Sequence, residues 1–140
     1  MNHSFEKSLH AFINAWSSSS LIKFKDFLSK DYKAREIREG EIIDFGYEES
    51  ILGWQQGFQF ANSNEAKWRI NELSRIPLKE DEMMVILSAT MEVEGKNLET
   101  ANLFFNTFKN SSQNEWKLVR SYIEAGIPTE NLRNNTVQGY

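Results

Sequence analysis

Two hydrophobic periods divide the chain. Phe5, Leu9, Phe12, Ile13 and Trp16 recur at i, i+4, i+7, i+8 and i+11, which predicts a helix with one buried face and Ser4 as its N-cap. The run Ser17-Ser18-Ser19-Ser20 interrupts it, and apolar spacing resumes at Leu21, Phe24 and Leu28, so the serines read as the corner of a helix–turn–helix. Residues 31–45 carry Tyr32, Ala34 and Ile37, then Glu39-Gly40-Glu41, then Ile42, Ile43 and Phe45, the pattern of two short strands around a Gly turn. From Tyr47 a second long helix places Tyr47, Ile51, Trp54, Phe58 and Ala61 along one stripe, with Gln55 inside it and Asn62-Ser63-Asn64 closing it. Beyond this point polar and apolar residues alternate. The alternation predicts strands at 67–77, 83–95, 98–109 and 116–124, joined by polar turns at 79–81, 95–97 and 110–114. The short turns favour antiparallel pairing, and strands of this length must twist and curl. Helices first and a large sheet after them make an α+β protein, in which a curved sheet with helices across its inner face encloses a one-ended cavity.

Length and composition narrow the picture. The 140 residues suit one domain, expected at 1–127, followed by a polar tail at 128–140 that docks on the body or on a neighbouring subunit. Aromatic residues form 13% of the chain, with ten Phe and four Trp, so the core is large and apolar. A net charge of −4 argues against nucleic acid and against an anionic membrane, because both require clustered Lys and Arg. No apolar run is long enough to span a bilayer, and the opening residues lack the apolar core of a signal peptide. The expected compartment is therefore the cytoplasm. The chain has no Cys, which removes disulfides, thiolate nucleophiles and thiolate metal ligands. Its two histidines, His3 and His10, fall about two helical turns, roughly 10 Å, apart, too far to share one metal ion. Neither a metal nor a cofactor is expected.

The order of elements resembles the NTF2-like superfamily, also called the SnoaL-like or cystatin-like α+β cone: helices packed on a strongly curved antiparallel sheet. Two segments carry the resemblance across roughly residues 4–125. In one, the Gly40 turn leads through Ile42-Ile43-Asp44-Phe45 to Gly46, which stands five residues before Ile51, like the family's hairpin running into a Gly-x-x-x-x-Ile helix start. In the other, Trp116-Lys117-Leu118-Val119 resembles the last strand, which often reads Gly-Trp-Lys-Ile-Val. The family includes ketosteroid isomerases, polyketide cyclases, dehydratases, accessory subunits and protein-transport factors, so the fold leaves function open. A dehydratase-like site needs pocket histidines paired with acids, and here both histidines lie on the first helix. A steroid-isomerase-like site needs a Tyr with two acids, and the first helix offers Trp16 but no Tyr.

Several residues are candidates for a site. On the last strand Trp116, Leu118, Arg120 and Tyr122 alternate on one face, with Lys117 and Ser121 on the wetter one. That alternation points Arg120 and Tyr122 inward, toward an anionic or carbonyl-bearing ligand or into a structural pair with Glu72 or Glu92. Gln55, Glu72 and Asn102 supply further polar points of the pocket, while Trp54, Phe58 and Trp68 either wall a pocket or fill the core. Asp44 is a candidate general base or a helix cap, the latter together with Glu48 and Glu49. Asn102 and Asn106 share a face with Phe104, opposite Ala101, Leu103 and Phe105, so both faces of that strand are apolar and the outer one suits a homodimer interface. The expected role is binding a small apolar or carbonyl-bearing molecule. The alternatives are a cofactor-free isomerase, cyclase or dehydratase working by proton transfer, and a dimeric accessory subunit whose cavity is filled.

Overall fold

The computed structural model describes residues 3–111, 114–132 and 138–140, apart from the side chains of His3 and Gln138. Helix α1 (His3–Ser17) buries Phe5, Leu9, Phe12, Ile13 and Trp16, the full stripe expected from its spacing. Ser4 is not its cap: it lies within the first turn, and its Oγ accepts the indole N–H of Trp116 at 3.0 Å. The serine run makes the corner, with Ser20 capping α2 (Leu21–Phe24) by accepting the Lys23 N–H. Helix α2 lasts a single turn, because Leu28, whose spacing continued the helix, instead opens strand β1 (Leu28–Arg38) after a 3₁₀ turn.

Strands β1 and β2 (Glu41–Gly46) form the expected hairpin, turning at Glu39 and Gly40. Both turn residues have positive φ, 51° and 79°, the backbone that a two-residue hairpin loop demands. Helix α3 (Tyr47–Ser63) follows immediately, its start closed by Glu49, whose Oε1 accepts the Gly46 N–H at 3.0 Å. The chain then runs through β3 (Lys67–Lys79), β4 (Glu82–Val93), the short β5 (Lys96–Asn97), β6 (Thr100–Asn110) and β7 (Trp116–Pro128). A two-residue strand, β8 (Gln138–Gly139), adds to the edge of β3, and the Tyr140 N–H donates to Ile70 O, so the end of the tail docks on the body.

The sheet order is β2-β1-β7-β6-β4-β3-β8, with β5 paired to β4. From β3 to β7 it is the antiparallel meander that the short turns imply. The sheet as a whole is mixed, because β7 lies parallel to β1 and joins hairpin to meander. Irregularities bend it: the register slips at Leu73 on β3, at Val119 on β7, and again on β7 at Ala125 and Gly126. Each slip inserts a residue that pairs with nothing opposite and curls the strand.

The core lies between the concave face of the sheet and the helices. Phe12 touches Trp16, Phe24, Phe27 and Phe108 at ring separations of 5.1–5.9 Å. Trp16 in turn meets Phe24, Trp54, Trp68 and Phe104. Within this apolar mass Asn106 is buried on β6, where its Oδ1 accepts the Ser121 hydroxyl at 2.6 Å. Truncating Phe12, which is fully buried, is expected to lower unfolding stability by about 3–5 kcal/mol. The denaturation midpoint of Phe12→Ala against the parent protein checks this.

Candidate functional site

A cavity of about 800 Å³ opens between α3 and the inner face of the sheet. Four walls form it. Helix α1 contributes Trp16, α3 contributes Ser50, Gly53, Trp54 and Gly57, and β1 contributes Tyr32, Glu36 and Arg38. The meander supplies Trp68, Met91, Asn102 and Phe104, while Ile43, Phe45 and Leu98 stand toward the mouth. The aromatic wall is continuous, with Trp16 and Trp54 at 5.0 Å, Trp16 and Phe104 at 5.1 Å, and Trp54 stacked on Phe104 at 6.0 Å.

The polar wall belongs mainly to β1. Because side chains alternate along a strand, Tyr32, Ala34, Glu36 and Arg38 share the inward face. Tyr32 is the deepest of the polar three, and burial pushes its phenol up to about 12, offset in part by the neighbouring Ser121 and Ser50 hydroxyls. Ser50 stands close enough to influence the phenol, yet among the described residues its buried Oγ completes no hydrogen bond. The indole N–H of Trp16, equally buried, also lacks an acceptor among the described residues. By contrast the indole N–H of Trp68 donates to Ser19 Oγ at 2.9 Å. Nearer the mouth Arg38 Nε donates to Glu36 Oε2 at 2.7 Å.

Two glycines complete the α3 wall. Gly53 and Gly57 sit one turn apart in the middle of the helix, where each costs about 0.5–1 kcal/mol relative to Ala. Neither has positive φ, and a Cβ built on either would meet nothing within 4 Å. They therefore serve neither a turn nor a close contact; they leave space.

The residues expected to form the site separate into two groups. Trp54, Trp68 and Asn102 line the cavity, Asn102 also accepting the Gly126 N–H at the second β7 slip. Phe58 is buried beneath it and fills the core. Gln55 is exposed, because the buried face of α3 runs through Trp54, Phe58 and Ala61; Gln56 borders the cavity instead. Glu72 is buried away from the cavity, held by Arg75 at 2.8 and 3.0 Å and by the Tyr140 hydroxyl at 2.9 Å.

Arg120 and Tyr122 are on the opposite face from the one expected. Leu118 pairs with Phe108 on the inner face, but the next pairing is Arg120 with Thr107, so Val119 is the extra residue and the alternation resets after it. Ser121 and Ile123 turn inward as a result. Arg120 lies on the outer face against Glu82 at 2.9 Å, in place of a pair with Glu72 or Glu92, and Glu92 is held by Arg69. Tyr122, 40% exposed, donates to Glu124 at 2.7 Å. Asp44 borders the cavity, and Arg35 grips its carboxylate at 2.7 and 2.9 Å and holds it below the usual carboxylate range. Helix capping falls to Glu49.

Sequence reasoning missed Tyr32, Glu36, Arg38 and Ser50. The signal was present in the alternation of Tyr32 and Ala34 with Lys33 and Arg35, which already sets the inward face of β1. Among the described residues no group of three His, Cys, Asp or Glu side chains could hold a metal ion, and no helix is long and apolar enough to cross a membrane.

No protein-family model and no curated protein matches the chain. Solved structures do match its course through space. An NTF2-like protein of unknown function from Pseudomonas putida KT2440 superposes with a TM-score of 0.68 at 8% identity, covering 93% of this chain and 89% of that one. The fold is NTF2-like. A ketosteroid isomerase-like protein from Erwinia carotovora atroseptica shares this NTF2-like fold at TM-score 0.61 and 11% identity, over 89% of this chain and 95% of that one. A putative calcium/calmodulin-dependent protein kinase type II association domain from Thiobacillus denitrificans does so at TM-score 0.65 and 18% identity, over 86% and 93%.

The Tyr32 phenol gives a pH signature. Its folded pKa lies above the ordinary value of 10.0, so the stability it contributes is complete below pH 10 and is lost as pH rises toward about 12. The loss amounts to about 3 kcal/mol. Stability measured between pH 9 and 12 should fall less steeply in Tyr32→Phe than in the parent by about that amount; parallel curves would show that the phenol titrates as freely as in the unfolded chain.

Proposed function

We propose that the protein binds a small, partly apolar molecule in the cavity between α3 and the inner sheet face. The observation that carries this reading is the pair Gly53 and Gly57, which weaken α3 yet keep its cavity wall open. The volume of about 800 Å³ falls in the range of about 300–1,000 Å³ usual for ligand pockets, with the usual mixture of aromatic wall and a few polar points.

The proton-transfer reading asks for a carboxylate free to act as a base. Every acid in the lining is already engaged, since Glu36 pairs with Arg38, Asp44 pairs with Arg35, and Glu49 closes the start of α3. Binding is therefore favoured over catalysis, and the open volume disfavours an accessory subunit with a filled cavity.

The test is native mass spectrometry of the protein purified from its own host, alongside the variant Gly53→Leu/Gly57→Leu. The parent is expected to carry a non-covalent mass that denaturation releases, and the variant, folded and no less stable, is expected to lack it. An adduct of equal occupancy in both would place the bound molecule elsewhere, and no adduct in either would count against a retained ligand.

A second reading concerns the outer face of the sheet. The register places Ile86, Phe105 and Tyr122 side by side across β4, β6 and β7, with the Phe105 and Tyr122 rings in edge contact at 5.9 Å. We propose that this apolar row packs against the same row of a second copy. Sedimentation velocity is expected to give a dimer for the parent and a monomer for Phe105→Glu; a monomeric parent at tens of micromolar overturns it.

A further inference from the structure

We propose that the cavity selects ligands whose head group is net neutral and carries a hydrogen-bond donor beside an acceptor, attached to a flat aromatic body. This rests on the binding role proposed above and specifies its ligand. The head group would be read by Glu36 and Arg38. The two side chains lie two residues apart on the inward face of β1, both line the cavity, and they join through a single bond, Arg38 Nε to Glu36 Oε2. Among the described residues, Glu36 Oε1 and the two terminal nitrogens of Arg38 form no hydrogen bond within the protein. The pair thus offers an acceptor and a set of donors next to one another, with its charges already balanced.

That geometry discriminates by charge. A lone carboxylate reaching Arg38 would sit beside Glu36, and Glu49 and the Arg35-paired Asp44 add further negative charge to the lining. A lone ammonium reaching Glu36 would sit beside the Arg38 guanidinium. A head group presenting both a donor and an acceptor meets each partner without that repulsion, and two chemistries do so: the zwitterion of an α-amino acid and the uncharged primary amide. The aromatic wall of Trp16, Trp54, Trp68 and Phe104 sets the body, because flat rings stack or meet edge-on there.

A matched indole series tests the idea by isothermal titration calorimetry: L-tryptophan (zwitterion), indole-3-acetamide (neutral amide), tryptamine (cation) and indole-3-propionate (anion). The zwitterion, the amide or both are expected to bind about tenfold more tightly than either singly charged probe, the difference made by one hydrogen bond to a charged group. Which of the two leads identifies the head-group chemistry. Glu36→Gln is expected to narrow the gap to the propionate, and Arg38→Gln the gap to tryptamine. A singly charged probe binding tightest, or a ranking unmoved by both substitutions, overturns the inference while leaving the cavity a binding site. If none of the four binds while the native protein carries an adduct lost in Gly53→Leu/Gly57→Leu, the head-group inference fails alone. If that adduct is absent as well, both readings fail.

Discussion

One indole ring holds the architecture together. Trp16, fully buried near the end of α1, meets Phe24 of α2, Trp54 of α3, Trp68 of β3 and Phe104 of β6, so four elements besides its own converge on a single side chain. Removing it would leave the helices without a common anchor on the sheet, since α1 otherwise grips mainly through Phe5 and Phe12 against Phe108 and Trp116. The same ring is also a floor of the cavity. Core packing and the cavity lining therefore share one residue, and the position of the cavity follows from where the aromatic cluster stops filling space.

Where the cluster stops is set by small residues. Past Trp54 and Phe58 the wall of α3 is continued by Gly53 and Gly57, which contribute no side chain at all. A helix built for stability alone would place Ala or Leu at both. Opposite them β1 turns in polar groups, so the cavity has an aromatic side and a polar side within one ligand's width. This division arises from two different periodicities, 3.6 on the helix and 2 on the strand, meeting across the same gap.

Much of this was legible in the chain. The stripe of α1, the Gly40 turn, the start of α3 after Gly46 and the four long strands each rest on local patterning, and the structure places them within a few residues of expectation. The end of α2 was not, because Leu28 fits the helical period as well as it fits the start of a strand, and pairing with β7 decides. In the site, Trp54, Trp68 and Asn102 were found from their faces, but Gln55 misled because a residue one step past Trp54 rotates about 100° away from the buried side. Arg120 and Tyr122 misled for a different reason. Strict alternation is a property of an unbroken ladder, and the residue that breaks it, Val119, is an ordinary apolar strand former with no Gly or Pro to announce the break.

The extra residue on β7 also bears on how knowledge passes between proteins of this shape. The segment Trp116-Lys117-Leu118-Val119 is one of the two that carry the sequence resemblance, and everything downstream inherits the register chosen there. Two relatives matched residue for residue across it, one with the slip and one without, would have their inner and outer faces exchanged from that point on. Ligand contacts mapped on one would fall on the exterior of the other, and interface residues would fall in its cavity. This chain is only 8–18% identical to the structures that share its fold, too little for sequence alone to fix that register. Functional assignments along this strand are therefore transferable only through hydrogen-bond register, strand against strand.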